Sequence, residues 1–300
     1  VIPIFLLERK FILKKENKKT GKKGLIIGIV GKFAACRNLT LEQQKEKIKA
    51  GLPYTVRLRS DGDENRRIVV EDLIKGKIEM PENIQDIVLL KTDGIPTYHF
   101  AHAVDDHLMR TTHVVRGDEW ISSLPVHIQL FKLLGYKAPK FAHISPIMKL
   151  DNGNKRKLSK RKDPEASVSF YAEQGYPADG VVEYLMTLAN SNFEDWRKAN
   201  PTLDKYAFPF SFKKMSTSGA LFDILKLNDI CKNIISLMSA DTVYENTVNW
   251  AKDNDEELYN LFTKDEAFAK GILAIDRDVP KPRKDIVNWS GVKEYVSFFY

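Results

Sequence analysis

Cysteine is scarce: Cys36 and Cys231 are the only two among 300 residues, far apart and in no Cys-x-x-Cys or Cys/His ligand spacing. That argues against a disulfide framework and against a structural zinc, and it suits a reducing cytoplasm. No apolar run approaches the roughly 18 residues that a membrane-spanning helix needs. The opening Val1-Ile2-Pro3-Ile4-Phe5-Leu6-Leu7 is short, with no basic region before it and no small-residue cleavage site, so it does not read as a signal peptide. Position 1 is Val rather than Met, from which we expect an internal cut. Neither His-x₃-His nor HExxH occurs, although all six histidines (His99, His102, His107, His113, His127, His143) crowd into 99–143. His102, Asp105, Asp106 and His107 can be drawn as metal ligands, with His102 and Asp106 on one helical face, but the spacing argues against a metal site.

What is present is an ordinary globular composition, 43% apolar and 29% charged, long enough for two or three compact units. A net charge of +7 favours a polyanionic partner such as nucleic acid or nucleotide, though charge alone is weak support. Residues 8–32 are lysine-dominated, with a turn expected at 16–24 and a solubilising surface as the plainer reading. Thr40 with Gln43 predicts a capped helix stopping at Gly51. Tyr54–Arg59 alternates as a half-buried strand, Arg57 and Arg59 on one face and Val56 and Leu58 on the other. Strands are expected at 68–70 and 86–90, and Asp93-Gly94 predicts a hairpin between 87–91 and 95–100.

From 97 the pattern becomes α/β. A strand over 97–100, a helix over 101–109, a strand over 112–115, a helix over 122–134 stopped by Gly135, and a strand over 141–144 argue for part of a parallel, doubly wound sheet. Such sheets bind ligands beyond the carboxyl ends of their strands. After Pro164 helices dominate, at 167–174, 180–189 and 227–238, two more over 240–270, and a short one over 291–298. The apolar ending Phe298-Phe299-Tyr300 suggests a domain continuing past the cut.

Between the α/β part and the helices lies Lys155-Arg156-Lys157-Leu158-Ser159-Lys160-Arg161-Lys162, six basic residues in eight, entered through Asp151-Asn152-Gly153-Asn154 and left through Asp163-Pro164. Turn-forming residues on both sides predict an exposed loop. A bare basic octamer is more often a solvated patch, but this one follows the strand at 141–144, where a multiply charged anion would relieve its repulsion. Lys214-Met215-Ser216-Thr217-Ser218 is a superficial copy with Thr217 in place of the second lysine, and reads as a helix start or turn.

Lys157-Leu158-Ser159-Lys160-Arg161, preceded by Phe141-Ala142-His143-Ile144-Ser145-Pro146, is similar to the second ATP-binding motif of class I aminoacyl-tRNA synthetases, in the form found in bacterial-type glutamyl-tRNA synthetases. Asp93–Ala101, Val104–Met109 and Val115–Trp120 resemble the same family, and the resemblance runs from about Gly31 to the C-terminus. It implies an α/β fold, the second half of a class I Rossmann-type catalytic fold, preceded by a mixed α+β connective domain and followed by an all-helical region. The expected divisions are 1–97 connective, 98–165 nucleotide-binding, 166–240 stem-contact and 241–300 the start of an anticodon-binding part. The implied activity is ATP-dependent ligation of L-glutamate to tRNA(Glu) through a glutamyl-adenylate, by a cytoplasmic monomer, with Mg2+ arriving on ATP.

Residue by residue, the resemblance makes Lys160 and Lys157 catalytic, and Lys157, Ser159, Lys160 and Arg161 the ATP-binding set. Fixed cations stabilise charge on the transferring phosphates. Tyr98, His102 and Arg116 line the glutamate pocket, Arg116 through its planar fork. Position 102 is a departure, since the family often carries Asn there. Glu119 and Trp120 shape the site. The family's earlier His-x-Gly-His motif occurs nowhere in the chain, so we expect an internal fragment that is inactive alone. Glutaminyl-tRNA synthetase, a glutamyl transferase acting on a modified tRNA base, and a non-catalytic RNA-binding module stand as rivals.

Overall fold

The computed structural model describes residues 4–8 and 35–300, which fall into two units, Val1–His143 and Ile144–Tyr300, each taken by itself. The turn expected at 16–24 lies outside the described residues.

In the first unit, α1 (Leu41–Lys49) begins with the capping box that the spacing predicts. The Thr40 hydroxyl accepts the Gln43 N–H, and the Gln43 side chain accepts the Thr40 N–H. Five strands come in chain order: β1 (Ile4–Glu8), β2 (Tyr54–Leu58), β3 (Arg67–Asp72), β4 (Gly76–Pro81) and β5 (Val88–Leu90). One sheet orders β1-β2-β5, antiparallel throughout. Contrary to the half-buried expectation, β2 is covered on both faces. Arg57 is as buried as its apolar neighbours, because Asp86 lies beneath it: Arg57 donates to the Asp86 carbonyl at 2.7 Å, and the Asp86 carboxylate accepts from Ser60 N–H and Arg37.

The Asp93-Gly94 turn forms, closed by Lys91 N–H to the Ile95 carbonyl at 2.9 Å and a Leu90–Pro96 bridge. The strand expected over 97–100 does not. Thr97 completes the turn by bonding to Leu89 and Val88, and α2 (Tyr98–Leu108) starts directly after it. The aromatic run at 98–100 has strand propensity, and the packing of the helix through Ala103 and Phe100 on the core decides for helix while Tyr98 stays half-exposed. There follow β6 (His113–Gly117), a 3₁₀ turn over Asp118–Ser123, α3 (Leu124–Leu134) with Pro125 in its first turn and Gly135 left-handed at its end, and β7 (Lys140–Ile144). The second sheet orders β4-β3-β7-β6. Since β3 and β4 form an antiparallel hairpin while β3 meets β7 in parallel at Asp72–Phe141, the sheet is mixed rather than purely parallel. Leu58, Leu89, Ala103, Leu124, Leu130, Phe131 and Phe141 pack the core that fixes α2 and α3 to it.

In the second unit the basic octamer is only partly a loop. β8 (Met148–Asp151) and β9 (Asn154–Lys157) pair antiparallel across Asn152-Gly153, both at positive φ (49° and 81°), the geometry of a tight two-residue hairpin. Lys155–Lys157 are therefore strand, and 158–163 the loop. Residues 220–222 run along β8, bonded to Met148 on both sides. A Cβ at Gly219 would meet the Pro146 carbonyl at 2.4 Å, so only glycine lets that segment close in. Lys214–Ser218 is a turn after a 3₁₀ segment at Phe212–Lys214, as expected.

Helices follow: α4 (Val168–Glu173), α5 (Ala178–Ala189), α6 (Phe193–Ala199), α7 (Ile224–Ser236), α8 (Ala240–Asn254), α9 (Glu256–Lys264), α10 (Glu266–Ala274) and α11 (Val292–Val296). The span expected to hold two helices holds three, because Asp255 and Asp265 each break the run and cap the next helix, accepting from Leu258 N–H and Phe268 N–H. Val243, Leu258, Phe262, Ile272, Leu273 and Val292 form their shared core.

Candidate active site

Arg116, on β6, occupies the centre of a buried polar cluster in the first unit. Its Nε–H donates to His143 Nε2 at 3.0 Å, and Nη1 donates to His127 Nδ1 at 3.1 Å. Behind His143, Nδ1 meets the Asp72 carboxylate at 2.6 Å; behind His127, Nε2 meets His99 Nδ1 at 2.9 Å. The third guanidinium nitrogen, Nη2, is buried and has no hydrogen-bond partner among the described residues, and neither has His102 Nε2. Tyr98, half-exposed at the start of α2, stacks on His102, packs against Trp120 with ring centroids 4.6 Å apart, and sets its hydroxyl beside the guanidinium.

The spacing that puts Tyr98 and His102 on one face of α2 also brings His102 Nδ1 to 2.6 Å from Asp106. Tyr98, His102 and Arg116 are thus brought together, with Trp120 beside them. Glu119 is exposed and folds back over Gly117, where a Cβ would lie 2.2 Å from its carboxylate.

The electrostatics are lopsided. Burial first, then the neighbouring Arg116 charge, pushes the His127 imidazolium down to about 2. The same two causes lower His99. Burial lowers His102 against the pull of Asp106, and lowers His143 against its bond to Asp72. All four rings are neutral near pH 7, while Arg116, depressed by burial from a very high value, stays charged. His107 does not join them and stacks on Tyr136. Among the described residues no three His, Cys, Asp or Glu side chains converge to hold a metal ion.

In the second unit, Lys157, Lys160 and Arg161 are exposed and make no ion pair among the described residues, while Ser159 is half-buried. Arg156 has another task. It donates twice to Asp163, at 2.6 and 2.8 Å, and once to Asp151 at 2.7 Å. Asp163, only 3% exposed, also accepts the Ser159 N–H at 2.8 Å and pairs with Lys149. These bonds, that from Arg156 foremost, hold its carboxyl well below the usual range. The octamer's mutual repulsion is therefore relieved in part from within, which the sequence reading missed; Asp163 had been legible only as half of a turn-forming Asp-Pro. Likewise Asp72, His99, His127 and His143 went unassigned, their signal being the crowding of histidines in 99–143.

Comparison with known proteins adds the deciding observation: the model of the class I tRNA synthetase (E and Q) catalytic domain matches residues 15–229. The chain belongs to that family. As a class I synthetase sequence it is 49% identical over 298 residues to the glutamate--tRNA ligase of Clostridium perfringens strain 13, an alignment covering 99% of this chain and 54% of that protein. The glutamate--tRNA ligase of Acetivibrio thermocellus is 46% identical over the same coverage. A crystal structure of a glutamate tRNA ligase from Elizabethkingia meningosepticum in complex with its amino acid superposes with TM-score 0.69 at 27% identity, covering 87% of this chain and 52% of that one. The synthetase chain spans about half the length of the curated relatives it matches. Its α/β sheet with helices following agrees with a Rossmann-like catalytic domain flanked by a helical region. No helix among the described residues is long and apolar enough to cross a membrane.

Proposed function

We propose that this chain is the part of a glutamate--tRNA ligase that captures the glutamate side chain and clamps ATP, in an enzyme that couples L-glutamate to tRNA(Glu) through a glutamyl-adenylate. One observation carries the reading: Arg116 is held by two of its three nitrogens, with the third buried, without a hydrogen-bond partner among the described residues and flanked by neutral rings. A lone fixed cation of this kind suits a carboxylate, and an amide side chain such as glutamine's would leave the charge unmatched. Tyr98 and His102 line the same pocket and Trp120 closes one wall.

In the adenylation step the α-carboxylate attacks the α-phosphorus of ATP and pyrophosphate leaves. Lys157 and Lys160 present ammonium groups, unpaired among the described residues, for the charge that develops on the phosphates, with Ser159 and Arg161 beside them. Mg2+ travels with the nucleotide. The cations that do pair, Arg156 and Lys149, hold the loop instead of the substrate. tRNA is the partner that the relatives' activity and the chain's basic charge support.

Calorimetric titration with L-glutamate and with L-glutamine tests the pocket. Binding of glutamate in preference to glutamine, abolished in Arg116→Ala, is the expected result; equal binding of both, or binding that survives the substitution, refutes it. The finer reading, that the chain carries only the later half of the nucleotide-binding fold, rests on the absence of a His-x-Gly-His string. On that reading the isolated chain gives no glutamate-dependent ATP–pyrophosphate exchange, and measurable exchange overturns it.

A further inference from the structure

We infer that Asp72 is a positioning residue for Arg116, acting at one remove by fixing the tautomer of His143. Its consequence for ligand binding rests on the reading of Arg116 as the carboxylate-capturing group.

Asp72 ends β3, and β7 lies beside it in the sheet, with β6 next to β7. The three side chains Asp72, His143 and Arg116 thus come from three adjacent strands. Asp72 and His143 are wholly withdrawn from solvent. The carboxylate divides its work between its oxygens. Oδ1 accepts the Ile74 and Lys75 N–H groups at 3.0 and 2.8 Å, fixing the turn into β4. Oδ2 faces His143 and meets its Nδ1 at 2.6 Å, and the two oxygens share the His143 backbone N–H, at 3.1 Å to Oδ2 and 3.3 Å to Oδ1.

A carboxylate can only accept, so His143 Nδ1 must carry the ring proton. A guanidinium can only donate, so His143 Nε2 must offer its lone pair to Arg116. Both demands are met by one neutral tautomer and by no other. The opposite flank repeats the logic: Arg116 Nη1 donates to His127 Nδ1, which leaves the proton on His127 Nε2 to be donated to His99 Nδ1. Two imidazoles therefore grip two nitrogens of one planar fork, and the plane in which Nη2 points is set by groups that never touch the ligand. Asp72, His127 and His143 are buried, so a misdirected donor among them is expensive.

Asp72→Asn separates this role from mere support of the turn. The amide oxygen can keep the Ile74 and Lys75 bonds and the share of the His143 backbone N–H that Oδ1 accepts, while the amide NH2 takes the place of Oδ2 and points a donor at His143 Nδ1. The ring must then carry its proton on Nε2, setting donor against donor at Arg116; an Asn in place of a tautomer-fixing Asp inverts the ring while leaving the geometry intact. Three measurements on the chain read the outcome: the 15N shifts of the His143 ring nitrogens, solvent exchange of the Arg116 Nε–H, and titration with L-glutamate.

Wild type is expected to show His143 protonated on Nδ1. The variant is expected to show it on Nε2, with Nε–H exchange and the L-glutamate dissociation constant each raised about tenfold, the scale of one hydrogen bond. A variant that keeps the Nδ1–H tautomer, or changes tautomer without either tenfold effect, overturns the assignment. Should Asp72→Asn fail to fold, the wild-type chain decides: Nε2 protonated, or an Arg116 Nε–H exchanging as fast as an exposed arginine's, refutes the relay. If wild type binds no L-glutamate, the substrate reading fails, and ring nitrogens together with Nε–H exchange still decide the relay.

Discussion

At Arg116 a permanent cation sits among four imidazoles that burial keeps neutral, and this arrangement has a pH signature. The His127 pKa is about 2 in the fold against about 6.5 unfolded, so below pH 6.5 the unfolded chain binds a proton that the folded chain refuses. Stability from this group is full above pH 6.5 and declines as pH falls towards 2, by up to about 1.4 kcal/mol per pH unit. His99, His102 and His143 are shifted in the same direction and steepen the decline. Urea unfolding should therefore show a lower midpoint at pH 5.5 than at 7.5; a flat or rising midpoint contradicts the neutral cluster. Arg116→Lys keeps the charge but cannot make both the Nε and Nη1 bonds, and should weaken glutamate binding about as much as Arg116→Ala, by roughly 2 kcal/mol or more in calorimetry. That Tyr98, His102 and Arg116 lie together was legible in the sequence because they fall within motifs. Asp72 was not, since nothing in one sequence marks that a carboxylate 71 positions before His143 faces it across the sheet.

Among the elements, the hairpin β8–β9 and the loop after it hang on one carboxylate. Asp163→Asn removes the charge that Arg156 and Lys149 share, although its amide oxygen can still accept one bond. Trypsin should then cut after Lys160, Arg161 or Lys162 several times faster than in wild type, on gels that follow the appearance of fragments; unchanged rates refute Asp163 as the loop's anchor. Asp265→Ala should lower stability by about 1 kcal/mol in urea, by removing the cap of α10, with no effect on glutamate titration. Element boundaries marked by local chemistry were readable in advance: the Thr40–Gln43 box, the Gly135 stop, the Asp93-Gly94 turn. Those decided by what lies across the core were not, as the helical fate of 98–100 shows. The three-helix division of 240–274 sits between these cases, for Asp255 and Asp265 are visible as residues and the caps they form are local, at i and i+3.

For the molecule as a whole, the family was legible and the full sheet was not: β3 and β4 enter the α/β sheet from a stretch whose sequence reads as part of a separate mixed unit. A net charge of +7 predicts that any tRNA affinity of the chain falls linearly in log–log plots against salt concentration, measured by filter binding between about 50 and 200 mM; salt-independent affinity counts against phosphate contacts. The grip on Arg116 also bears on how this protein can change over generations. If Arg116 captures the substrate side chain as proposed, a new preference needs a different group at 116, yet that group must at once satisfy His143 and His127, and through them Asp72 and His99. Single substitutions along that route pass through variants with a stranded buried donor or acceptor, so their effects cannot add. On the proposed reading, substrate scope is thereby insulated from stepwise drift, and a laboratory selection for another amino acid is expected to succeed only from libraries that vary 72, 99, 116, 127 and 143 together.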